Sequence, residues 1–287
     1  YICGGYNGKT TRLADTWEYD IDNDWWTQRA DMPGTVRNAA TGFSVGSKGY
    51  VTTGYNPDQK YLSDTWEYNP ETNSWRQMDD FKGGARYYAL GFGIDNYGYV
   101  GTGYNDNYLK DFYRFDPTAA AGSQWTIVNG FGGQKRQGGT AFVIDGKAYV
   151  CGGQNNNSDV SDFWCFDPSA ATPWTQLRDI ANTSDDDYDD DYTSIVRSYG
   201  VSFVIDGKAY LTLGSTAGGS YYSNYWIYDP ATDLWEGDDL TAFEGSTRIH
   251  AVCFSTGTRG IVATGGSGSS SYFDDTWELK PYEYEEE

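Results

Sequence analysis

The chain repeats one pattern six times along its 287 residues. In each copy an apolar stretch ends in a pair of small residues, and an aromatic segment begins nine to twelve residues later. The pairs are Gly4-Gly5, Thr53-Gly54, Thr102-Gly103, Gly152-Gly153, Leu213-Gly214 and Gly265-Gly266. Successive pairs lie 49, 49, 50, 61 and 52 residues apart. Because chance does not produce such a period, we expect the chain to fold as an array of similar units.

Each repeat predicts four short strands. An Arg opens an alternating apolar segment, a turn such as Asp145-Gly146 reverses the chain, and a second strand ends at the small pair. The third strand carries a pattern such as Trp66-Glu67-Tyr68, and the fourth carries a lone Trp such as Trp75. Four antiparallel strands in a period of about 50 residues are typical of a propeller blade. We therefore predict an all-β, six-bladed β-propeller of four-stranded antiparallel blades.

The repeat also resembles a known family. Paired glycines after an apolar strand, an aromatic strand and a closing Trp resemble the kelch repeat, and the resemblance covers nearly the whole chain. Thr-Gly-Tyr-Asn at 53–56 and Asp-Thr-Trp-Glu-Tyr at 64–68 resemble kelch proteins found on bacterial cell surfaces. The resemblance implies a single kelch-type propeller over residues 1–287, with an acidic tail at 280–287. It also implies a secreted protein or one on the outer surface of a bacterium.

The two ends of the chain are incomplete as repeats. The sequence predicts six second strands and six third strands, but only five first strands and five clear fourth strands. We therefore expect the sequence to begin within a blade, after an N-terminal segment that includes a signal peptide. We also expect strands from both ends to close one blade, since closure removes an exposed sheet edge.

Charge and composition exclude several classes of function. The chain has 20 Lys and Arg against 41 Asp and Glu, a net charge of −21, which argues against binding to nucleic acid or to an anionic membrane surface. No apolar stretch is long enough for a transmembrane segment. The single histidine, His250, removes most catalytic triads and most transition-metal sites, and we expect it to be structural.

The repeated arginines and the residues after the small pairs are the candidate ligand-binding set. Because the first two strands of a blade are antiparallel, the start of the first and the end of the second share one rim. This rim is predicted to hold Arg37, Arg86, Arg136, Arg197, Arg248, Tyr6, Tyr55, Tyr104, Asn56, Asn105 and Gln154. Guanidinium groups and tyrosines suit a glycan or a protein or peptide ligand. Kelch-domain adaptors that this chain resembles hold acidic peptides with such residues. The alternative is that each Arg only bridges to Asp or to backbone carbonyls of the neighbouring blade, as part of the architecture of the repeat.

Two longer segments and the cysteines give weaker signals. An acidic loop contains Asp185, Asp187 and Asp189, which are candidate Ca²⁺ ligands, although a solvated acidic loop is the alternative. We expect no other metal and no cofactor. A Gly/Ser/Tyr-rich excursion at 215–223 could flank a ligand. The cysteines either pair as Cys151 with Cys165 and Cys3 with Cys253, or remain packed free thiols.

We therefore expect a non-catalytic recognition module that binds a glycan or a partner protein at the Arg/Tyr-lined rim. One alternative is a carbohydrate-active enzyme of the mutarotase or lyase type, although no nucleophile–base pair stands out. The copper radical oxidases among kelch-type propellers use two His ligands and are excluded by the single histidine. A second alternative is a structural subunit of a larger surface complex.

Overall fold

A computed structural model describes residues 1–8, 10–237, 241–268 and 270–280. The acidic tail beyond Lys280 lies outside the described residues. Six antiparallel sheets follow one another along the chain, and we number them blades 1 to 6. Apart from the sheets there is one short 3-10 helix, Asp187–Asp189, among the described residues. The predicted all-β class is confirmed.

The chain divides into two compact units. The first comprises Tyr1–Phe131 with Lys135–Gln137, and the second comprises Gly132–Gln134 with Gly138–Glu287. Blades 1 to 3 belong to the first unit, and blades 4 to 6 belong to the second.

The first unit contains strands β1 to β13. Blade 1 has β1 (Ile2–Tyr6), β2 (Arg12–Asp20) and β3 (Trp25–Arg29). Blade 2 has β4 (Thr41–Val45), β5 (Lys48–Thr52), β6 (Tyr55–Asn56), β7 (Lys60–Tyr61), β8 (Thr65–Asn69) and β9 (Ser74–Gln77). Blade 3 has β10 (Leu90–Ile94), β11 (Tyr97–Gly101), β12 (Phe112–Phe115) and β13 (Trp125–Val128). In blade 2, β6 and β7 form a two-stranded ribbon that connects the second and third strands of the sheet.

The second unit contains β14 to β28. Blade 4 has β14 (Thr140–Ile144), β15 (Lys147–Cys151), β16 (Gln154–Asn155), β17 (Ser158–Asp159), β18 (Trp164–Phe166) and β19 (Trp174–Gln176). Blade 5 has β20 (Val201–Ile205), β21 (Lys208–Thr212), β22 (Trp226–Asp229) and β23 (Leu234–Glu236). Blade 6 has β24 (Val252–Ser255), β25 (Gly260–Ala263), β26 (Gly266–Ser267), β27 (Ser271–Tyr272) and β28 (Thr276–Leu279). The pairs β16–β17 and β26–β27 are again ribbons.

The strand counts follow the sequence. Blades 2 to 5 each have a four-stranded sheet, blade 1 has no first strand and blade 6 has no fourth strand among the described residues. Within the described residues β1 pairs with β2, and β28 pairs with β25. The expectation that strands from both ends share one blade stays a prediction, because residues 281–287 lie outside the described part of the chain. The predicted Asp145-Gly146 turn forms, with φ of 49° and 73°. Two positive φ values are the mirror-image turn that matches the twist of a hairpin.

The small pair ends the second strand because its backbone is left-handed and crowded. At Thr53-Gly54 the two φ values are 63° and 110°, and a Cβ on Gly54 would lie 3.1 Å from the Asn38 carbonyl oxygen. In blade 6 this geometry belongs to Thr264-Gly265, with φ of 63° and 92°. The sequence reading of Gly265-Gly266 as the pair was therefore wrong by one residue. With the corrected pair, every Arg lies 17 residues before its Gly.

Candidate functional site

The five repeated arginines are buried inside the structure. Each exposes 0–1% of its surface: Arg37, Arg86, Arg136, Arg197 and Arg248. A ligand could reach these guanidinium groups only by displacing the protein atoms that cover them. Their burial removes them from the candidate contact surface, and their bonds show what they do instead.

Arg37 shows the bonding pattern that holds a blade together. Its Nη1 and Nη2 donate to Asp64 Oδ1 and Oδ2 at 2.7 and 2.6 Å, and Nη1 also donates to the Thr53 carbonyl at 3.0 Å. Trp66 Nε1 donates to Asp64 Oδ2 at 2.7 Å. Asp64 thus fixes an arginine and an indole at once, which explains the repeated Asp-Thr-Trp sequence. The arginine joins the first, second and third strands of its own blade.

The other aspartate-paired arginines repeat this arrangement. Arg86 pairs with Asp111 at 2.6 and 3.0 Å, and Arg248 pairs with Asp275. The main chain of each of the five arginines also reaches the preceding blade, because its carbonyl oxygen accepts a hydrogen bond from the glycine of that blade's small pair. The distance is 2.8 Å from the Gly5 nitrogen to the Arg37 oxygen. The structure therefore gives these arginines an architectural role, as in the alternative interpretation of the sequence. The aspartate partners, however, lie in the arginine's own blade and not in a neighbouring one.

Arg197 departs from this pattern because its partner is uncharged. Asn224 stands where the other blades have Asp, and its Oδ1 accepts from Arg197 Nη2 at 3.0 Å. The remaining acceptors are carbonyl oxygens, including those of Ser194 at 2.6 Å and Leu213 at 3.0 Å. Burial without a counter-anion lowers the pKa of Arg197 to about 10. This is a buried cation held only by neutral groups and by the ring of Tyr222, 4.7 Å away.

The tyrosines after the small pairs lie on ribbons that connect the second and third strands. In blade 1, Tyr6 pairs with Arg12 across the ribbon. In blade 2, Tyr55 pairs with Tyr61. In blade 3, Tyr104 pairs with Tyr108 through an isolated bridge. Cross-strand pairing places the two side chains of each pair on the same face.

These side chains form one continuous aromatic surface in the first unit. We call it the tyrosine surface and define it as Tyr6, Arg12, Tyr55, Tyr61, Tyr87, Tyr104 and Tyr108, all half-buried. Tyr87 occupies its centre, with ring centroids 5.6 Å from Tyr55, 5.6 Å from Tyr61 and 5.8 Å from Tyr104. The surface continues from Tyr104 to Tyr108, whose ring centroids are 5.0 Å apart.

Two phenols of the tyrosine surface, those of Tyr61 and Tyr87, have raised pKa values, and the hydroxyl group of Tyr61 is held in place. Tyr61 donates its hydroxyl to Asp106 Oδ1 at 2.8 Å. Burial, together with this hydrogen bond, raises the pKa of Tyr61 to about 12. Burial also raises the pKa of Tyr87. The surface therefore offers hydroxyl groups and ring edges, and its centre at Tyr61 and Tyr87 is neutral at physiological pH.

The three predicted amide residues have different surroundings: one is buried and holds a turn, and two are half-buried. Asn56 is buried, donates from Nδ2 to the Val36 carbonyl at 2.8 Å and accepts from the Asp58 nitrogen at 2.9 Å, so it holds the turn of its ribbon. Asn105 is half-buried in the third ribbon. Gln154 belongs to the second unit and donates to the Tyr199 hydroxyl at 2.7 Å. Tyr6, Tyr55 and Tyr104 are therefore the predicted residues that the structure brings together.

Sequence reasoning missed four members of the tyrosine surface. Arg12, Tyr61 and Tyr108 lie on the far arms of the ribbons, and Tyr87 follows the repeated arginine of its blade. A signal was present, because each far-arm residue immediately precedes a leucine: Leu13, Leu62 and Leu109. These leucines pair with Arg37, Arg86 and Arg136 of the following blade, which fixes the ribbons in the same orientation.

The acidic loop does not form the expected calcium site. Asp189 is buried and accepts from the Thr183 and Ser184 nitrogens, both at 2.9 Å. Burial opposes its ionisation, but these hydrogen bonds outweigh it and lower the pKa of Asp189. Asp185 and Asp187 are exposed. Within the described part of the chain, no three acidic, His or Cys side chains come close enough to hold a metal ion. The Asp189 carboxylate instead organises its own loop.

The structure shows the state of the cysteines and the surroundings of the histidine. All four cysteines are free thiols, so neither of the two conceivable disulfides is present. The imidazole of His250 lies 4.4 Å from the Tyr199 ring, between ring centroids. Burial by surrounding protein lowers the pKa of His250 to about 4, which leaves the ring neutral under physiological conditions.

Comparison with known proteins agrees with this architecture. The sequence model of the kelch motif matches residues 1–33, 37–82 and 135–177. The second match begins at Arg37 and runs past the fourth strand of blade 2, so the matched segment extends from the arginine to the outer strand. No curated protein sequence matches the chain.

A solved kelch-type propeller supports the fold. The structure titled "Structure of YjhT" superposes with a TM-score of 0.74 at 15% identity, over 96% of this chain and 92% of that chain. The fold is thus a six-bladed β-propeller of antiparallel sheets. Among the described residues there is no helix that is long and apolar enough to cross a membrane.

Proposed function

We propose that this chain is a non-catalytic recognition module that binds a partner protein through the tyrosine surface. The observation that carries the proposal is the continuity of that surface over three adjacent ribbons, from Tyr6 to Tyr108. Kelch propellers commonly serve as protein-interaction scaffolds, which agrees with this role.

Tyrosine-rich ribbons suit protein recognition for an energetic reason. A tyrosine buries a large ring at the cost of only two side-chain torsions, and here the rings already restrain one another before any partner arrives. Prior restraint lowers the entropy lost on binding, so more of the contact energy remains as affinity. Tyrosine and arginine are also the residues that most often dominate protein interfaces.

Ring orientation favours a protein partner over a glycan. Tyr61 and Tyr87 stack on each other with an interplanar angle of 11° and a centroid separation of 5.6 Å. Faces that are covered by a neighbouring ring are not available to stack on a sugar ring. Ring edges and hydroxyl groups remain, and these match the mixed polar and apolar surface of a folded protein or peptide.

The second unit supplies a contrast. Its corresponding ribbon pairs are Gln154 with Asp159, Ser215 with Tyr221, and Gly266 with Tyr272. None of these pairs carries two aromatic side chains. The proposed interface therefore involves blades 1 to 3.

A matched pair of double variants tests the proposal. The site variant is Tyr55→Ser with Tyr104→Ser, and the control is Trp25→Ser with Ile127→Ser, which removes two apolar side chains that are 57% and 56% exposed elsewhere in the first unit. Each protein is immobilised and exposed to extract of the source organism, and bound proteins are quantified by mass spectrometry. Titration with each purified captured protein then gives its affinity.

We expect the wild type and the control to capture the same protein, and the site variant to bind it at least 10-fold more weakly. Equal binding by the site variant would contradict the proposal. If the captured component is lost after glycosidase treatment of the extract, and isolated glycans bind with the same variant sensitivity, the ligand is a glycan instead.

The proposal includes an exported location and needs no metal ion or cofactor. Its location rests on the resemblance of the Thr-Gly-Tyr-Asn and Asp-Thr-Trp-Glu-Tyr repeats to bacterial surface proteins. Fractionation of source cells should place the protein outside the cytoplasm, and a purely cytoplasmic signal would contradict this part. Partner binding should be unchanged by EDTA; a loss restored by Ca²⁺ would show a metal requirement.

A further inference from the structure

Arg12 lies at one end of the tyrosine surface, where its guanidinium group packs against the rings of Tyr6 and Tyr55. Its guanidinium carbon is 4.1 Å from the centroid of the Tyr6 ring and 5.6 Å from that of Tyr55. Its Nε donates to Asn38 Oδ1 at 2.8 Å. A guanidinium stacked on aromatic rings and tethered at Nε has lost much of its freedom to rotate.

Backbone pairing positions the residues around the Arg12 guanidinium group. Tyr6 and Arg12 are cross-strand partners in blade 1. Asn38 and Tyr55 are cross-strand partners in blade 2, with nitrogen–oxygen distances of 3.1 and 2.8 Å in the two directions. The four side chains are therefore placed by a strand ladder and by an isolated two-residue bridge with two backbone hydrogen bonds, so the guanidinium is preorganised.

The two terminal nitrogen atoms of the Arg12 guanidinium group have no hydrogen-bond acceptor among the described residues. Its Nη1 and Nη2 make no hydrogen bond or ion pair with any residue that the structure describes. Elsewhere in the first unit, Arg29 pairs with Glu18, and Arg76 pairs with Glu67. Arg12 is half-buried and has no carboxylate partner among the described residues, although the chain carries 41 acidic residues and a net charge of −21.

We propose that Arg12 is the anchor for a carboxylate group of the partner protein, taken up by Nη1 and Nη2 in bidentate fashion. This proposal deepens the function proposed above and rests on it. A planar fork with two parallel donors matches the two oxygens of an Asp or Glu side chain or of a chain terminus. The neighbouring Tyr6 and Tyr55 rings would exclude water from the pair and strengthen it.

The charge of the whole chain restricts the partner further. A partner that is acidic overall would be repelled by a chain of charge −21. We therefore expect the carboxylate to stand within a neutral or basic surface of the partner. Added salt should then weaken binding, because it screens the net attraction between the partner and the acidic chain.

The first experiment needs no partner. Protein labelled with ¹⁵N-arginine is titrated with sodium acetate and, separately, with sodium chloride at matched ionic strength, and the Arg12 Nε–H signal is followed by NMR. Arg114, whose guanidinium carbon lies 4.4 Å from the Tyr97 ring, is the internal control, because it also stacks on a tyrosine but lies outside the tyrosine surface. We expect a saturable acetate-specific shift at Arg12 that is at least threefold larger than at Arg114. Equal shifts at both would overturn the proposal.

The second experiment uses the protein captured by the tyrosine surface. Arg12→Gln should weaken its binding at least 10-fold, and Arg12→Lys should weaken it nearly as much, because lysine keeps the charge but lacks the fork and the Nε bond to Asn38. Arg114→Gln should change the affinity less than twofold. Retention of near wild-type affinity by Arg12→Gln would overturn the proposal, and circular dichroism verifies that each variant is folded.

The two proposals fail in distinguishable ways. If Tyr55→Ser with Tyr104→Ser abolishes binding while Arg12→Gln retains it, the tyrosine surface is an interface but Arg12 is not its anchor. If acetate perturbs Arg12 selectively while the double tyrosine variant binds the captured protein normally, Arg12 is an anion site and the proposed interface is wrong.

Discussion

Arg37 in the first unit and Arg197 in the second occupy the same place in their repeats, but their surroundings differ by one charge. Both are buried to 1% exposure, and both donate to the carbonyl of the residue that opens the small pair, Thr53 or Leu213, at 3.0 Å. Arg37 is neutralised by Asp64, whereas Arg197 faces Asn224.

The difference shows that geometry and charge balance are separable in this repeat. Ser194 compensates for part of the change, because its Oγ accepts from Asn224 Nδ2 at 2.7 Å and from Trp226 Nε1 at 3.2 Å. In blade 2 the aspartate carboxylate itself receives the indole of Trp66. The Asn224 site thus keeps the hydrogen bonds and gives up the counter-anion.

The largest expected effect is the loss of Asp64. Asp64→Ala leaves the Arg37 guanidinium buried without its partner, which should lower the free energy of unfolding by about 3 to 5 kcal/mol. Chemical denaturation at pH 7 measures the change. Asp58→Ala, at an exposed position in the same blade, is the control and should cost less than about 0.5 kcal/mol. Similar losses for the two variants would show that the pair contributes nothing.

A smaller effect is expected when blade 2 is made to resemble blade 5. Asp64→Asn keeps hydrogen-bonding atoms but removes the charge, and should cost about 1 to 2 kcal/mol at pH 7. Burial opposes ionisation of Asp64, yet its bonds to Arg37 prevail and lower its pKa.

The pH dependence of that cost follows from the lowered pKa. The stability that the Asp64 charge contributes is complete above the unfolded pKa, about 4, and is lost as the pH falls through the lower native pKa. The difference between wild type and Asp64→Asn should therefore shrink on acidification from pH 4 to pH 2. A difference that is constant over this range would contradict the ionic account.

The reverse exchange should stabilise the second unit. Asn224→Asp gives Arg197 a counter-anion and should raise the free energy of unfolding by about 1 kcal/mol at neutral pH. The Ser194 hydroxyl can rotate to donate to the new carboxylate, so no partner is orphaned. The gain should be complete above about pH 4 and should be lost as the pH falls through the lower pKa of the carboxyl group paired with Arg197. A loss of stability at pH 7 would show that blade 5 is adapted to the neutral partner.

The smallest effect concerns the bridging hydroxyl. Ser194→Ala should cost about 0.5 to 1.5 kcal/mol, because Asn224 Nδ2 and Trp226 Nε1 both lose an acceptor. In the Asn224→Asp background the cost should be smaller, since a carboxylate can accept directly from the indole, as Asp64 does from Trp66. A double-mutant cycle measures this coupling. Additive effects would contradict it.

The fold could be predicted because its determinants recur in the sequence. Six small pairs, five arginines and the Asp-Gly turns each mark a backbone position, and their spacing gave the number of blades and of strands in each blade. The blade 6 pair was misplaced by one residue, because Gly265-Gly266 looks more like a glycine pair than Thr264-Gly265 does. The left-handed φ of Thr264 becomes apparent only in the structure.

The site could be predicted only in part because recurrence does not reveal burial. The arginine ring was assigned to ligand contact from its position, yet the aspartate partner lay 27 residues downstream of Arg37 and of Arg248 and was visible in the sequence. Conversely, Arg12 replaces a tyrosine in one ribbon, and nothing in a repeat pattern marks such a departure as functional. Its environment depends on Asn38 and Tyr55 in the neighbouring blade.

The double attachment of each repeated arginine bears on how such a chain can grow by gene duplication. The carbonyl oxygen of Arg37 accepts a hydrogen bond from Gly5 of the preceding blade, and its side chain pairs with Asp64 of its own blade. Arg37, which lies ahead of the first strand, therefore connects two consecutive copies of the repeat. A duplicated segment that omits the arginine would supply a sheet without this contact to its neighbour. Each copy must therefore include one arginine, as the match that begins at residue 37 does.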